Sequence, residues 1–147
     1  MIIRCISDSG LSLRPYEYEP IINKYKYGRF GACEFTEFGG IEVGREYLVM
    51  GLVVFEAYQG YLIDDNGFIS VNPCQLFEVI DNKLGSNWHF RLIGIEEYIY
   101  PYIQAVFGYC EFCSDKMAYQ NLIVEKEYES QVIYFKRKIE LENELAL

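Results

Sequence analysis

The stretch Arg45 to Asp81, REYLVMGLVVFEAYQGYLIDDNGFISVNPCQLFEVID, decides the fold, because it carries an unbroken succession of strand and turn signals. Tyr47 to Phe55 is apolar on both faces, which suits a central strand covered on both sides or one bent at Gly51, where a missing side chain permits a bulge. Tyr61-Leu62-Ile63 follows a short turn at Gly60. Asn66-Gly67 then supplies the pair best able to take positive φ at both central residues of a tight hairpin turn. That predicts a three-strand meander running through Phe68-Ile69-Ser70-Val71. Pro73 cannot donate to a ladder, and its fixed φ suits a single 3₁₀ turn over Pro73-Cys74-Gln75-Leu76 before a last strand, Phe77 to Asp81.

The rest of the chain is arranged around this meander. Met1 to Ser7 reads as a first strand, closed by a turn at Asp8-Ser9-Gly10. Leu11 to Gly44 holds Pro15, Pro20 and five glycines without a helical period. So long a connection either contains a strand, such as Ala32 to Phe38, or is a binding loop. It is rich in aromatics, with Lys24, Lys26 and Arg29 between them. Tyr and Arg anchor many protein interfaces, so Tyr16, Tyr18, Tyr25, Tyr27, Arg29 and Phe30 are the candidate binding residues. The alternative is that these rings pack over the mouth of the domain. Asn87 to Ile93 resumes a strand pattern, with Trp88, Phe90 and Leu92 on one face and His89 and Arg91 on the other. Beyond it, Tyr98 to Tyr100 and Gln104 to Phe107 read as strand or buried turn.

Ser114 or Asp115 is a plausible N-cap, and no Pro or Gly follows to the end of the chain. Val124, Tyr128, Val132, Phe135 and Ile139 recur at steps of four and three, which predicts one apolar stripe on an amphipathic helix. A break near Glu125 to Glu127 divides it into a short and a long helix. The stripe covers the domain or forms a dimer or partner seam. Lys136-Arg137-Lys138 reads as a solvated face.

A bent strand, a hairpin, a short strand and a Pro-led 3₁₀ turn running into an aliphatic strand resemble the second half of an SH3-like barrel, with Asn72 to Val79 as its Pro-led turn. The chain is also similar in type to small acidic single-domain bacterial proteins, some of them immunity proteins that neutralise a toxin. The resemblance implies a mainly β fold with added α structure. It would be a small barrel of five or six antiparallel strands over residues 1–113, with a C-terminal amphipathic helical region over 114–147, in one domain.

Composition bounds the function. With 147 residues the chain suits a single domain able to bury a core. No apolar run approaches the roughly 20 residues of a membrane span, and Met1 to Ser7 has no export leader, so a cytoplasmic, soluble protein is the expectation. A net charge of −9 disfavours nucleic acid and membranes as partners and favours a basic protein. Five cysteines read as reduced thiols, four of them core residues. Cys110-Glu111-Phe112-Cys113 has the spacing of a zinc or redox pair, but no second pair completes a zinc site. His89, the sole histidine, is where any imidazole catalysis would fall, with a Cys as its nucleophile. Asp64 to Gly67 lacks the ligand spacing of a calcium loop and reads as a hairpin turn. No residue is assigned as catalytic or metal-binding, and no cofactor is implied. The reading is a non-catalytic protein-binding module, in its sharpest form an immunity-like inhibitor. Its alternatives are SH3-like peptide capture between Trp88 and Phe77, or a small enzyme using His89 or a carboxylate.

Overall fold

A computed structural model describes residues 1–147. Eight strands are present: β1 (Ile2–Cys5), β2 (Glu46–Leu48), β3 (Gly51–Phe55), β4 (Gln59–Asp65), β5 (Phe68–Pro73), β6 (Phe77–Asp81), β7 (His89–Leu92) and β8 (Ile103–Gly108). They pair as two antiparallel sheets, ordered β2-β1-β6 and β5-β4-β3-β8-β7, not as one closed ladder. The fold is thus β-rich with helical cover, and it has eight strands where five or six were expected. The surplus arises because Tyr47 to Phe55 divides into β2 and β3 and because Gln104 to Phe107 forms β8, which joins β3 to β7 in the larger sheet.

The run Tyr47 to Phe55 passes from one sheet to the other. Val49 N–H donates to Met1 O at 3.0 Å, and the next residue, Met50, donates instead to Leu62 O at 2.8 Å. The crossing falls just ahead of Gly51, where a Cβ would lie 2.6 Å from Phe107 O. Glycine is therefore required here for the close approach of β8. Asn66 and Gly67 take φ of 48° and 91°, so the hairpin turn is the positive-φ type their identities demand. The Pro73-led 3₁₀ turn, Cys74–Leu76, returns the chain to the smaller sheet, where Phe77 pairs with Cys5.

Alternation along β4 explains the two cores. Tyr61 and Ile63 point into a cluster with Ile3, Leu13, Val49 and Leu76, while Leu62 points the other way, to Val53, Val106, Phe112 and Leu122. The larger sheet is therefore covered on both faces around β3 and β4, which is why Tyr47 to Phe55 is apolar throughout.

Three helical segments make the second cover: α1 (Cys110–Ser114), a π-helical turn (Gln120–Val124) and α2 (Tyr128–Glu144). Helical structure starts at Cys110, ahead of the boundary at 114, and Ser114 and Asp115 end α1 instead of capping a helix start. The break before α2 lies where expected, with Lys126 at φ 51°.

The predicted apolar stripe faces outward. Val124, Tyr128, Val132 and Ile139 are exposed and Phe135 is half-buried, while the buried face of α2 is led by Tyr134 and Leu141. Polar chemistry sets this orientation. The Tyr134 hydroxyl donates to Asp64 Oδ1 at 3.0 Å, and Lys138 Nζ, one turn further, donates to the same oxygen at 2.8 Å. Asp64 Oδ2 accepts the Gly67 N–H of the hairpin turn at 3.2 Å. Burial first, and then the Asp64 charge, raise the Tyr134 phenol well above its ordinary pKa, so it stays a donor. Of the basic cluster only Lys136 is a solvated side chain, since Arg137 and Lys138 are both paired.

Replacing Asp64 by Ala leaves a buried phenol and an ammonium without an acceptor and should cost about 2–4 kcal/mol. Tyr134→Phe, which removes one of three bonds to that carboxylate, should cost about 1 kcal/mol. Urea titration of both variants checks the order; equal losses would show that Asp64 matters only through Tyr134.

Candidate functional sites

The segment between β1 and β2 contains no strand over Ala32 to Phe38; one isolated bridge, Ser9 to Glu37, joins its two legs. A 3₁₀ helix, Gly10–Tyr16, fills the first leg, and Ser9 Oγ accepts the Ser12 N–H at its start. Gly10 N–H donates to Thr36 O at 2.7 Å and Phe38 N–H to Asp8 O at 2.8 Å. A Cβ on Gly10 would sit 1.9 Å from Cys33 O, so only glycine lets the legs meet.

Charged side chains then fix the tip. Arg14 donates to Lys26 O at 2.5 Å, and a Glu17 carboxylate oxygen accepts the Arg29 N–H at 2.9 Å. Arg29 donates to Tyr16 O and Ala57 O, each at 2.9 Å, and to the Tyr18 hydroxyl at 3.1 Å. Its guanidinium also lies 4.4 Å from the ring centres of both Tyr18 and Phe30. Arg29 thus clamps both legs to the β3–β4 turn.

Five of the segment's rings project from this frame. Tyr18, Tyr25, Tyr27, Phe35 and Tyr16 are 79, 75, 65, 60 and 47% exposed, and Tyr25 leans on Phe35 at 5.2 Å. Phe30 is 4% exposed and belongs to the core, so it is withdrawn from the candidate contact residues. Arg29 is half-buried and holds the segment from within.

Beside the clamp runs a groove of about 390 Å³ between this segment, the β3–β4 turn and the Pro73-led turn, lined by Tyr18, Arg29, Glu56, Tyr58 and Gln75 among others. Burial pushes the Tyr58 phenol up to about 12 and the Cys74 thiol up to about 11, so both remain neutral there. The expected Trp88–Phe77 groove does not form. Phe77 is buried against Tyr47 and Tyr61 in the core between the sheets, whereas Trp88 is half-buried in a separate cleft.

That second cleft, about 590 Å³, lies between the start of β7, α1 and the latter half of α2. Trp88, His89, Cys110, Arg137 and Glu140 rise over Tyr109 and Leu141. Arg137 Nε bonds both oxygens of Glu111, at 2.8 and 2.9 Å, and Nη1 bonds Glu140 at 2.7 Å. The guanidinium holds Glu111 below the usual carboxylate range and is itself neutralised by the two carboxylates. His89 is exposed, and no hydrogen bond joins its imidazole to Cys110 or to a carboxylate.

The C-x-x-C is asymmetric. Cys110 is exposed, while Cys113 is buried with its thiol 3.3 Å from His89 O, to which it donates. Burial pushes the Cys113 thiol up to about 11. Cys5, Cys33 and Cys113 are buried and Cys74 is half-buried. No three His, Cys, Asp or Glu side chains are gathered to hold a metal ion, and no helix is long and apolar enough to cross a membrane. Neither the clamp nor the groove was legible as such in the sequence, because Tyr58 and Gln75 carry no motif and meet Tyr18 only through folding.

Comparison with protein-family models, with curated proteins and with solved structures finds no match for this chain.

Thiol labelling of the native protein at pH 8 should modify Cys110 first and Cys113 last. The Cys113 thiol, protonated up to about pH 10, should react only when unfolding exposes it. Peptide mapping after timed alkylation checks this, and labelling of the two at equal rates would contradict the sequestered thiol.

Proposed function

We propose that this protein is a non-catalytic protein-binding module, an SH3-like barrel extended by two strands, and that in its sharpest form it acts as an immunity-like inhibitor of a basic partner protein. The observation that carries the reading is the segment of Gly10 to Phe38. Its backbone is fixed by Arg14, Glu17 and Arg29 while Tyr16, Tyr18, Tyr25, Tyr27 and Phe35 remain exposed. Rings held out on an already ordered frame lose little conformational freedom on binding, so their burial counts almost fully towards affinity. The net charge of −9 favours a basic partner and makes encounter sensitive to salt.

The barrel reading is supported by the single strand run that crosses between sheets at Val49 and Met50, and by the Pro73-led turn that returns the chain from β5 to β6. A second reading, SH3-like peptide capture, is favoured by the groove at Tyr18, Arg29 and Tyr58, in place of Trp88 and Phe77. The catalytic alternative has less support, because His89 is exposed and no side chain orients its imidazole.

The purified protein should capture one stoichiometric protein from its source lysate, and high salt should weaken the capture. Tyr25→Ala and Tyr27→Ala, both at exposed positions, should each weaken that binding about ten-fold with an unchanged circular dichroism spectrum, consistent with loss of an interface anchor. Unchanged affinity in both variants would remove the segment as the contact surface. Loss only in Tyr58→Ala would transfer the activity to the groove.

A further inference from the structure

The two edges of the five-stranded sheet differ. At β5, Lys126 reaches across from the break between the π-helical turn and α2, donates to Ile69 O at 3.1 Å and lies 4.5 Å from the Phe68 ring centre. That edge is blunted by a charged side chain, a common protection against edge-to-edge pairing. At β7 there is no such cover. Ile93 N–H donates to Gln104 O on β8, so residues of the same parity, His89 and Arg91, turn their backbone groups inward. The N–H and C=O of Phe90 and Leu92 therefore point outward with no partner.

The side chains on this edge are as bare as the backbone. Phe90 and Leu92 are 55 and 70% exposed on one face, and Phe90 stacks on Phe107 of β8 at 4.7 Å. The strand's one cation offers no protection, because Arg91 turns to the other face and bonds Glu97 and Cys113 O. Charge also singles out this edge. The chain carries 22 carboxylates, yet Asn82 to Ile95 contains none, with Lys83 and Arg91 as its only charged side chains; Glu97 pairs with Arg91, and Glu144 accepts the Ser86 N–H. The strand itself therefore adds no carboxylate to the like-charge repulsion between two copies at −9 each.

We infer that β7 is the pairing edge of a symmetric dimer, in which a second copy of this chain lays its own β7 antiparallel to the first and the two five-stranded sheets become one. An antiparallel register with Phe90 on the two-fold axis is self-complementary. It sets Phe90 against Phe90 of the other copy and brings the Leu92 N–H of each copy to the Trp88 carbonyl of the other. The outward amides of Phe90 and Leu92 gain ladder partners, and aromatic and aliphatic side chains meet across the strands, the pairing that stabilises sheets most.

Sedimentation velocity between 1 and 200 µM, on the wild type, Leu92→Lys and Val132→Lys, tests the inference. Both substituted side chains are exposed, so the monomer fold should survive, which circular dichroism verifies. The wild type and Val132→Lys should dimerise, and Leu92→Lys should raise the dimer dissociation constant at least ten-fold. Amide exchange on the wild type gives a readout free of substitution, since Phe90 and Leu92 should be protected at high concentration and lose that protection on dilution. A wild type that is monomeric at 200 µM overturns the inference. So does a dimer that survives Leu92→Lys but is lost in Val132→Lys, which would place the seam on α2.

Discussion

The carboxylate of Asp64 is the constraint on which the arrangement of the C-terminal cover depends. It sits at the end of β4 beside the hairpin turn, is 9% exposed, and accepts from the Gly67 N–H, the Tyr134 phenol and the Lys138 ammonium. A buried carboxylate without donors would cost several kcal/mol, so the helix can dock only in the rotation that delivers both side chains. Tyr134 is also wholly buried and packs edge-on against Tyr109 and Phe135. One residue thus contributes apolar area and polar satisfaction at the same point. The rotation it selects turns Val132 and Ile139 to solvent.

That choice marks the boundary between what can be read from residue order and what cannot. Asn66-Gly67 and Pro73 impose local backbone conformations, and the meander, the 3₁₀ turn and the strand Phe77–Asp81 lie where those residues put them. The α2 stripe was a count of apolar positions at helical spacing, and such a count gives a phenol or an ammonium no place in the core. Tyr134 and Lys138 fall outside it, so the stripe does not cover the domain and marks the outward face of the helix. In the same way, Arg29 was visible as an interface residue type, but its bonds to Tyr16, Tyr18 and Ala57 join positions far apart in sequence. Its holding role appears only when the chain is folded.

The two clefts differ in how their polar groups are used. In the cleft beside β7, the one guanidinium is spent on two carboxylates and the imidazole stands apart, so the polar groups hold α1 to α2. In the groove beside the Arg29 clamp, Tyr58 is held neutral by burial and the guanidinium is turned towards backbone oxygens. The first arrangement is mainly structural. The second is a mainly polar groove with Tyr18 and Tyr58 in its walls, next to the exposed rings of the same segment.

The clamp separates two duties within one stretch of chain. Its shape rests on Gly10, Arg14, Glu17 and Arg29, whose bonds run largely to backbone atoms. Backbone atoms are the same whatever side chain they carry. Tyr25 and Tyr27, which face outward, can therefore be exchanged for other residues with little effect on the frame beneath them. Exchanges at those outward positions would change the chemistry of the segment's surface and leave its shape alone, so long as the glycine and the ionic residues stay fixed.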